Sequence, residues 1–242
     1  MSDAHQKMLV LVEGEKTDAN LMKHLLRIYR IDIKYEIVAY GTNIYALYNE
    51  MFVRDNPESF DLLQVLKARE KNEEKKAIFD YRYSDILLIF DFDPHDTNYT
   101  PQKIKYLSEY FTESSDMGKL YVNYPMIEAF YHMASIPDPR YDSYYTELNE
   151  LKSKGYKSRV HRENRDRDYR KFAVNKEECN LVIRQNISKA WKLVEADSTD
   201  GSIPKQQEIL SSQINLLQQE EKISVLCTCP FFIPEYNSGL IL

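Results

Sequence analysis

The feature that most constrains this chain is an apolar run that ends in carboxylates, with Ile86 to Phe90 followed by Asp91-Phe-Asp93-Pro-His-Asp96. Such a short run of Ile, Leu and Phe is typical of a strand buried on both faces of a parallel sheet. Asp91 and Asp93 would then lie at its carboxyl end, where open α/β sheets bind ligands. Two carboxylates so spaced suit a hard cation such as Mg²⁺. The same residues also fit a simple turn, because Asp93 precedes a proline.

A second acidic turn lies near the start of the chain. The apolar run from Met8 to Val12 breaks at Glu13-Gly14, and helical spacing of apolar residues follows. Glu13 is therefore predicted at the carboxyl end of a first strand, on the same sheet edge as the aspartates of the central strand. Asp18 falls in the first turn of the next helix, where the helix dipole alone accounts for an acid.

Strand and helix patterns alternate through the first half of the chain. We predict an α/β domain over residues 1–135, built on a central parallel sheet, with a highly charged helical insertion at about 54–84. A mainly helical extension is predicted over 136–242. Within the first domain, a helix beginning near Pro125 would carry Glu128 in its first turn. Glu128 either serves the helix dipole or joins the acids at the sheet edge.

Composition limits the class of protein. The chain has 242 residues and a net charge of −6, which gives no global attraction to nucleic acid. No stretch approaches 18 uncharged apolar residues, and the amino terminus lacks the apolar core of a signal peptide, so we expect a cytoplasmic protein without membrane contact. The three cysteines indicate neither a disulfide framework nor a zinc site, and Cys227 and Cys229 are interpreted as a buried, reduced pair.

One segment departs from the acidic average. Residues 152–171 hold nine Lys or Arg against three acids, and Tyr156 and Tyr169 within it could stack on unpaired bases. We predict a local nucleic-acid footprint here; a solvated, salt-bridged helix is the alternative. The cations assigned to this footprint are Lys157, Arg159, Arg162, Arg165, Arg167 and Arg170, together with Lys16 beside the first acidic turn.

The carboxyl-terminal region carries two apolar features. Leu210, Ile214 and Leu217 form a narrow stripe that suits docking against one other helix, in this chain or in a partner. The apolar tail from Ile223 is expected to be tucked in or covered by a partner. A homodimer is left open.

The ordered acidic motifs resemble the Toprim family. Glu13-Gly-Glu-Lys-Thr-Asp18, Asp91-Phe-Asp93 and Asn123-Tyr-Pro-Met-Ile-Glu128 are most similar to the stand-alone Toprim nucleases of bacterial defence and abortive-infection loci, the RloB-like, AbiL-like and OLD-type group. Related patterns place the helix acid four residues after the glutamate, a position that is Thr17 here. The resemblance covers about residues 8–135.

The resemblance implies a Rossmann-like core and Mg²⁺- or Mn²⁺-dependent hydrolysis of phosphodiesters. Glu13, Asp91 and Asp93 would hold one or two ions, with Glu13 as ligand or general base and with Asp18, Asp96 and Glu128 as additional acids. In such loci the resemblance also implies an ATPase partner and an antiviral role. We expect a nucleic-acid substrate and favour RNA such as tRNA over DNA, although the basic segment would suit exposed RNA bases and single-stranded DNA alike.

Two other functions fit parts of the pattern. An apolar strand ending in Asp-x-Asp also resembles the nucleophile motif of haloacid-dehalogenase-like phosphatases. That family usually has Thr or Val where this chain has His95, and it gives Glu13 no function. The other alternative is a non-catalytic Toprim protein that regulates an ATPase.

Overall fold

A five-stranded sheet organises the chain. The computed structural model describes residues 7–31, 34–53, 61–115, 117–196 and 202–240. The sheet has the order β2-β1-β3-β5-β4, and all neighbouring strands run parallel except β4 and β5. Its strands are β1 (Lys7–Val12), β2 (Lys34–Ala39), β3 (Asp85–Asp91), β4 (Thr112–Glu113) and β5 (Gly118–Asn123). The prediction of an α/β protein with a mostly parallel central sheet is confirmed.

The two central strands are buried because their side chains are apolar on both faces. Leu9 to Val12 in β1 and Leu88 to Phe90 in β3 are fully buried. Burying one such aliphatic or aromatic side chain contributes about 1.5–3 kcal/mol to the free energy of unfolding. In the register, Val12 lies opposite Ile89, and Asp91 lies opposite Asn123. The carboxyl ends of β1, β3 and β5 therefore meet at one edge.

Helices connect the strands of the sheet. Asn43 caps α2 by accepting the backbone N–H of Ala46, and Thr100 caps α5 in front of its first residue, Pro101. The helices of this half are α1 (Thr17–Ile28), α2 (Ile44–Phe52), α3 (Leu62–Arg69), α4 (Glu73–Lys76) and α5 (Pro101–Tyr110). The predicted insertion at 54–84 begins outside the described residues, and its described part contains α3, α4 and a short 3₁₀ helix over Ala77–Asp80.

The second half combines helices with a small sheet. β6 (Tyr145–Glu147) and β7 (Lys222–Ser224) pair antiparallel. Its helices are α6 (Leu148–Lys152), α7 (Gly155–Glu163), α8 (Lys176–Leu193), α9 (Gln206–Glu220) and α10 (Phe232–Tyr236). Backbone hydrogen bonds between Tyr124 and Leu226 join this half to the main sheet. Within the described ranges, every helix is too short or too polar to span a lipid bilayer.

The carboxyl-terminal apolar features are covered by the chain itself. Leu210, Ile214 and Leu217 are buried, and α9 packs against α5, α8 and β5. The tail is also tucked in, since Phe231 and Ile233 are fully buried. Of the two dockings predicted for the stripe, the one within the chain is correct. The stripe is not available to a partner.

The segment after β5 differs from the predicted helix. Pro125 does not begin a helix: its carbonyl accepts the N–H of Phe92 at 3.1 Å, and Met126 is extended. The segment forms a 3₁₀ helix over Ile127–Tyr131. The local reason is that the Asp91 carboxylate accepts the Ile127 N–H, at 2.8 Å, so that the turn starts two residues later than the proline signal predicts.

Candidate functional site at the carboxyl edge of the sheet

Glu13 and Asp91 lie side by side at the ends of β1 and β3. The backbone N–H of Asp91 donates to Oε2 of Glu13 at 3.2 Å, while the Glu13 N–H donates to the Ile89 carbonyl at 3.1 Å. The parallel ladder thus continues into the acidic turn. The predicted meeting of these two acids at one edge is correct.

Asp18 reaches the same edge from the first turn of α1. Its Oδ1 accepts the Gly14 N–H at 3.1 Å, and the residue is buried. A Cβ at position 14 would lie 2.8 Å from the Asp18 carboxylate, so this close approach requires glycine. Asp18 therefore does more than serve the helix dipole: it folds the acidic turn back onto α1.

Asp93 follows the strand in a strained conformation. Its φ is +37°, in the left-handed region that aspartate tolerates better than most residues. Its carboxylate lies 4.0 Å from the His95 ring. The prediction that Asp93-Pro94 forms a turn is therefore correct. The turn also places the Asp93 carboxylate close enough to Glu13 for its charge to raise the pKa of Glu13.

Glu128 and Lys157 form the far side of the cluster. Glu128 is buried, its Oε1 lies 3.1 Å from the Lys157 ammonium, and its Oε2 has no hydrogen-bond partner among the described residues. Lys157 comes from the basic segment, yet its position is beside the carboxylates. We refer to Glu13, Asp18, Asp91, Asp93 and Glu128 as the acidic site.

Burial and mutual repulsion raise the pKa values of four carboxylates of this site, Glu13, Asp18, Asp91 and Asp93. Burial first, and then the Asp93 carboxylate, raise the pKa of Glu13 to about 8. Burial raises the pKa of Asp91 well above its usual range, with Glu13 as the next cause. Burial also raises the pKa values of Asp18 and Asp93. Although burial opposes it, the Glu128 carboxylate raises the pKa of Lys157. Full ionisation would place more negative charge at this edge than one lysine can offset, and this is why the protonated forms are favoured.

The donor chemistry of the acidic site fits a hard divalent cation. Carboxylate oxygens are the ligands that Mg²⁺ prefers. The buried Oε2 of Glu128 has no hydrogen-bond partner among the described residues, so it is free to bind a cation. In the conformation described for 7–31, 34–53, 61–115, 117–196 and 202–240, no three His, Cys, Asp or Glu side chains converge closely enough to hold an ion. Binding would therefore require these side chains to approach one another.

Asp96 takes a structural position instead. Its Oδ2 accepts the side-chain N–H of Asn43 at 2.6 Å, and its Oδ1 accepts the N–H of Asn98 at 2.7 Å. It fixes the loop after β3 against the start of α2. Of the three additional acids proposed from the sequence, the structure brings Asp18 and Glu128 into the acidic site and uses Asp96 as a loop brace.

The basic segment is dispersed rather than forming one patch. Arg159 lies 3.2 Å from Glu150 and donates to the Tyr145 carbonyl, and Arg165 donates to Glu178 and Asp166. These two arginines are therefore internal braces. Arg162 and Arg167 are exposed. Tyr156 is fully buried, so the prediction that it stacks on bases is wrong.

A cleft lined by cations and aromatic rings opens beside the acidic site. Its volume is about 580 Å³. Of the predicted footprint, it contains Lys16, Arg170 and Tyr169; the other lining residues that matter here are Lys23, His24, Arg27, Tyr35, Tyr131 and Phe172. We call this the cationic cleft. Lys16 immediately follows the acidic turn, and Tyr131 lies three residues after Glu128, which ties the cleft to the acidic site.

Sequence reasoning assigned Lys16 to nucleic-acid binding but missed Lys23 and Arg27 of α1, although a signal was present. Lys16, Asn20, Lys23 and Arg27 recur at three- and four-residue spacing, which places them on one helix face. The apolar residues Leu21, Leu25 and Ile28 give the stronger periodic signal in that helix. The cysteine interpretation holds, since Cys227 and Cys229 are free and buried with their sulfur atoms 3.5 Å apart.

Comparisons of this chain with protein-family models, with curated proteins and with solved structures find no match.

Proposed function

We propose that this protein is a metal-dependent nuclease of the Toprim type, with Glu13, Asp91 and Asp93 as its catalytic carboxylates. The observation that carries the proposal is the contact between Glu13 and the Asp91 amide, at 3.2 Å, inside a group of five carboxylates at the carboxyl edge of a parallel sheet. Ionising that many neighbouring carboxylates destabilises a fold, and such a cluster of perturbed acids is typical of a functional site.

The residues of the acidic site have separable roles in such a reaction. A bound Mg²⁺ or Mn²⁺ would supply Lewis-acid stabilisation of the phosphate and an activated water, held by Glu13, Asp91 and Asp93. Glu13, with a pKa of about 8, is suited to exchange a proton with water near neutral pH. Asp91 is held in place by the Ile127 N–H. Lys157 offsets charge on Glu128 and would face the substrate phosphate with its exposed ammonium.

The substrate class in this proposal is nucleic acid, with RNA such as tRNA favoured. The adjacent cationic cleft supports it, because an acidic protein needs a local positive surface to approach a polyanion. A role in antiviral defence, a cytoplasmic location and control by a partner ATPase complete the proposal. The defence role and the partner ATPase rest on the resemblance of the acidic motifs to the Toprim proteins of defence loci, whereas the cytoplasmic location rests on the composition of the chain.

A regulatory, non-catalytic role is the second candidate. It rests on the same resemblance and assigns no reaction to the acidic site. The phosphatase alternative has less support. A nucleophilic aspartate must reach its substrate, whereas Asp91 is only 8% exposed and its carboxylate is engaged by a backbone N–H.

The test is a cleavage assay on tRNA, ribosomal RNA and plasmid DNA in Mg²⁺ and in Mn²⁺, with and without a candidate partner ATPase of the kind that the proposal implies. Glu13→Gln, Asp91→Asn and Asp93→Asn should each abolish cleavage. Glu15→Gln is the matched control, because Glu15 is an exposed acid two residues from Glu13. Cleavage that persists in all three variants would contradict the proposal. Metal binding without cleavage under any condition would support the regulatory role.

A further inference from the structure

The cationic cleft follows one face of α1 away from the acidic site. Lys16 lies at the amino-terminal end of that face, Lys23 lies in its middle, and Arg27 lies in the last turn. Arg27 lies eleven positions after Lys16, so at about 1.5 Å per residue the row of cations extends roughly 16 Å. A row of that length is too long for one phosphate and suits several phosphates in succession.

The cations of this row are not neutralised by the protein. Lys16, Lys23 and Arg27 form no ion pair with a carboxylate in the described part of the chain, and no acid is found among the cleft's described lining residues. The His24 ring donates from Nε2 to the Ala173 carbonyl at 2.8 Å, and its Nδ1 faces the Arg27 guanidinium at 3.4 Å. His24 therefore orients Arg27 without cancelling its charge.

An aromatic wall faces these cations. The rings of Tyr131 and Tyr169 stack at 4.2 Å between centroids with an angle of 7° between planes. Tyr131 is buried, whereas Tyr169 is partly exposed and offers its outer surface to the cleft. Tyr35 is 39% exposed on the edge strand β2 and lines the same cleft. Flat aromatic surfaces opposite a row of unpaired cations are the arrangement that binds bases and phosphates together.

We propose that the cationic cleft binds an unpaired strand of the nucleic-acid substrate, with bases against Tyr169 and Tyr35 and phosphates along Lys16, Lys23 and Arg27. This inference rests on the proposed nuclease function and narrows its substrate class. Bases reach an aromatic surface only when they are unstacked from a partner strand, so a regular duplex cannot use the wall. Bound in this way, the strand continues past Lys16 to the acidic site.

The test measures binding without cleavage. The probe is a fluorescein-labelled 12-nucleotide oligouridine or oligothymidine in EDTA, followed by anisotropy, with a 12-base-pair duplex and free uridine monophosphate as competitors. The wild type should bind the single strand at least tenfold more tightly than the duplex or the mononucleotide. Comparing the RNA and DNA strands identifies the sugar that the cleft prefers. Equal affinity for duplex and single strand, or for the mononucleotide, would overturn the inference.

Two kinds of variant separate charge from stacking. Lys23→Ala combined with Arg27→Ala should weaken single-strand binding about tenfold or more and reduce the slope of log K against log salt by about 1.4, since two phosphate contacts are lost at about 0.7 each. Lys71→Ala combined with Lys105→Ala removes the same charge from exposed sites outside the cleft and should change neither value. An unchanged affinity in the cleft variant would overturn the inference.

Tyr169→Ala should weaken binding about 5- to 100-fold with the salt slope unchanged, as expected for a lost stacking surface, and Tyr169→Phe should restore it. Since Tyr169 also packs on Tyr131, Tyr35→Ala provides a second stacking variant at a site that is 39% exposed, where we expect the fold to tolerate the change. If neither alanine variant weakens binding, the inference is wrong. If the cleft variants weaken binding but no cleavage is found under any condition, the nuclease proposal is wrong and the binding cleft stands. If cleavage depends on Glu13 but the cleft variants bind as tightly as the wild type, the nuclease proposal stands and the binding cleft is wrong.

Discussion

The carboxylate of Glu13 accepts the backbone N–H of Asp91, at 3.2 Å, across the seam between β1 and β3. This one contact joins the two halves of the acidic site, because Glu13 closes the first strand and Asp91 closes the central one. It also explains why the pKa of Glu13 is not raised further: burial raises it, whereas the amide hydrogen bond lowers it. The contact therefore sets both the position and the protonation of the candidate base.

The first prediction concerns pH and stability in the absence of metal. The pKa of Glu13 is about 8 in the folded protein and near 4.5 when unfolded, so between these values the folded state holds the extra proton and its stability falls as pH rises. Glu13→Gln removes this dependence. In EDTA, urea unfolding should show the variant about 1–3 kcal/mol more stable than the wild type at pH 8, with the difference vanishing near pH 4.5.

Glu15→Gln is the control, because Glu15 carries the same charge on the exposed side of the same turn. It should leave the pH dependence of unfolding unchanged. If Glu13→Gln is less stable than the wild type by the same amount at both pH values, the prediction is wrong. The Glu13 carboxylate would then stabilise the turn, and its ionisation would not be opposed by burial and by the neighbouring carboxylates.

The second prediction concerns Lys157. Its ammonium lies 3.1 Å from Glu128 and is the cation nearest the acidic site. Lys157→Met makes the site more negative, so Mg²⁺ should bind about 3- to 10-fold more tightly, as expected for removal of a like charge at a partly solvated distance. Isothermal titration calorimetry measures this directly. Lys152→Met, an exposed change at the end of α6, should leave the affinity as it is, and weaker Mg²⁺ binding by Lys157→Met would contradict the assignment.

The third prediction separates bracing arginines from surface arginines. Arg165 donates to Glu178 at 2.7 Å and to Asp166 at 2.8 Å, so Arg165→Gln should lower the free energy of unfolding by about 1–2 kcal/mol. Arg162, whose side chain is 66% exposed, should tolerate Arg162→Gln within about 0.5 kcal/mol. Urea unfolding at pH 7 compares the two. If the two substitutions change the free energy of unfolding equally, Arg165 stabilises the fold no more than the exposed Arg162 does, and the prediction is wrong.

The strands and the meeting of their acidic ends could be predicted because both depend on local patterns. Apolar runs of five or six residues give buried parallel strands, and parallel strands place Glu13 and Asp91 at the same edge whatever the loops between them do. The same logic located Glu128, although the helix around it was wrong. Its 3₁₀ turn depends on Asp91 accepting the Ile127 N–H, a contact between residues 36 positions apart.

The contacts and the exposure of the side chains in the basic segment could not be predicted from the sequence. Whether an arginine braces the fold or faces solvent depends on which carboxylate lies near it, as with Arg159 beside Glu150. The burial of Tyr156 is decided in the same way, by the packing of α7 on the 3₁₀ helix after β5. The cationic cleft arises only when α1 and the loop holding Tyr169 come together, about 150 residues apart in the chain.

The final prediction concerns Lys189, a lysine buried in α8. Its Nζ donates to the carbonyls of Tyr141 and Tyr144, at 2.8 and 2.7 Å, and burial lowers its pKa to about 7. A neutral amine has two N–H groups, which match these two acceptors. Between pH 7 and about 10.5 the unfolded chain binds the extra proton, so the contribution of Lys189 to stability rises with pH across this window and is smallest below pH 7.

Lys189→Met removes that slope and leaves two buried carbonyls without a donor. The variant should be destabilised by about 1–3 kcal/mol at pH 7, and its deficit against the wild type should grow by a further 1–2 kcal/mol or so at pH 9, because only the wild type gains as the lysine loses its proton. Guanidinium unfolding at the two pH values measures both the destabilisation at pH 7 and its increase at pH 9. Lys192→Met, on the exposed side of the same helix, should show neither, since its ion pair with Asp142 is at the surface. Parallel pH profiles for Lys189→Met and the wild type would mean that Lys189 keeps its charge in the folded protein, and that the two carbonyls solvate an ammonium ion.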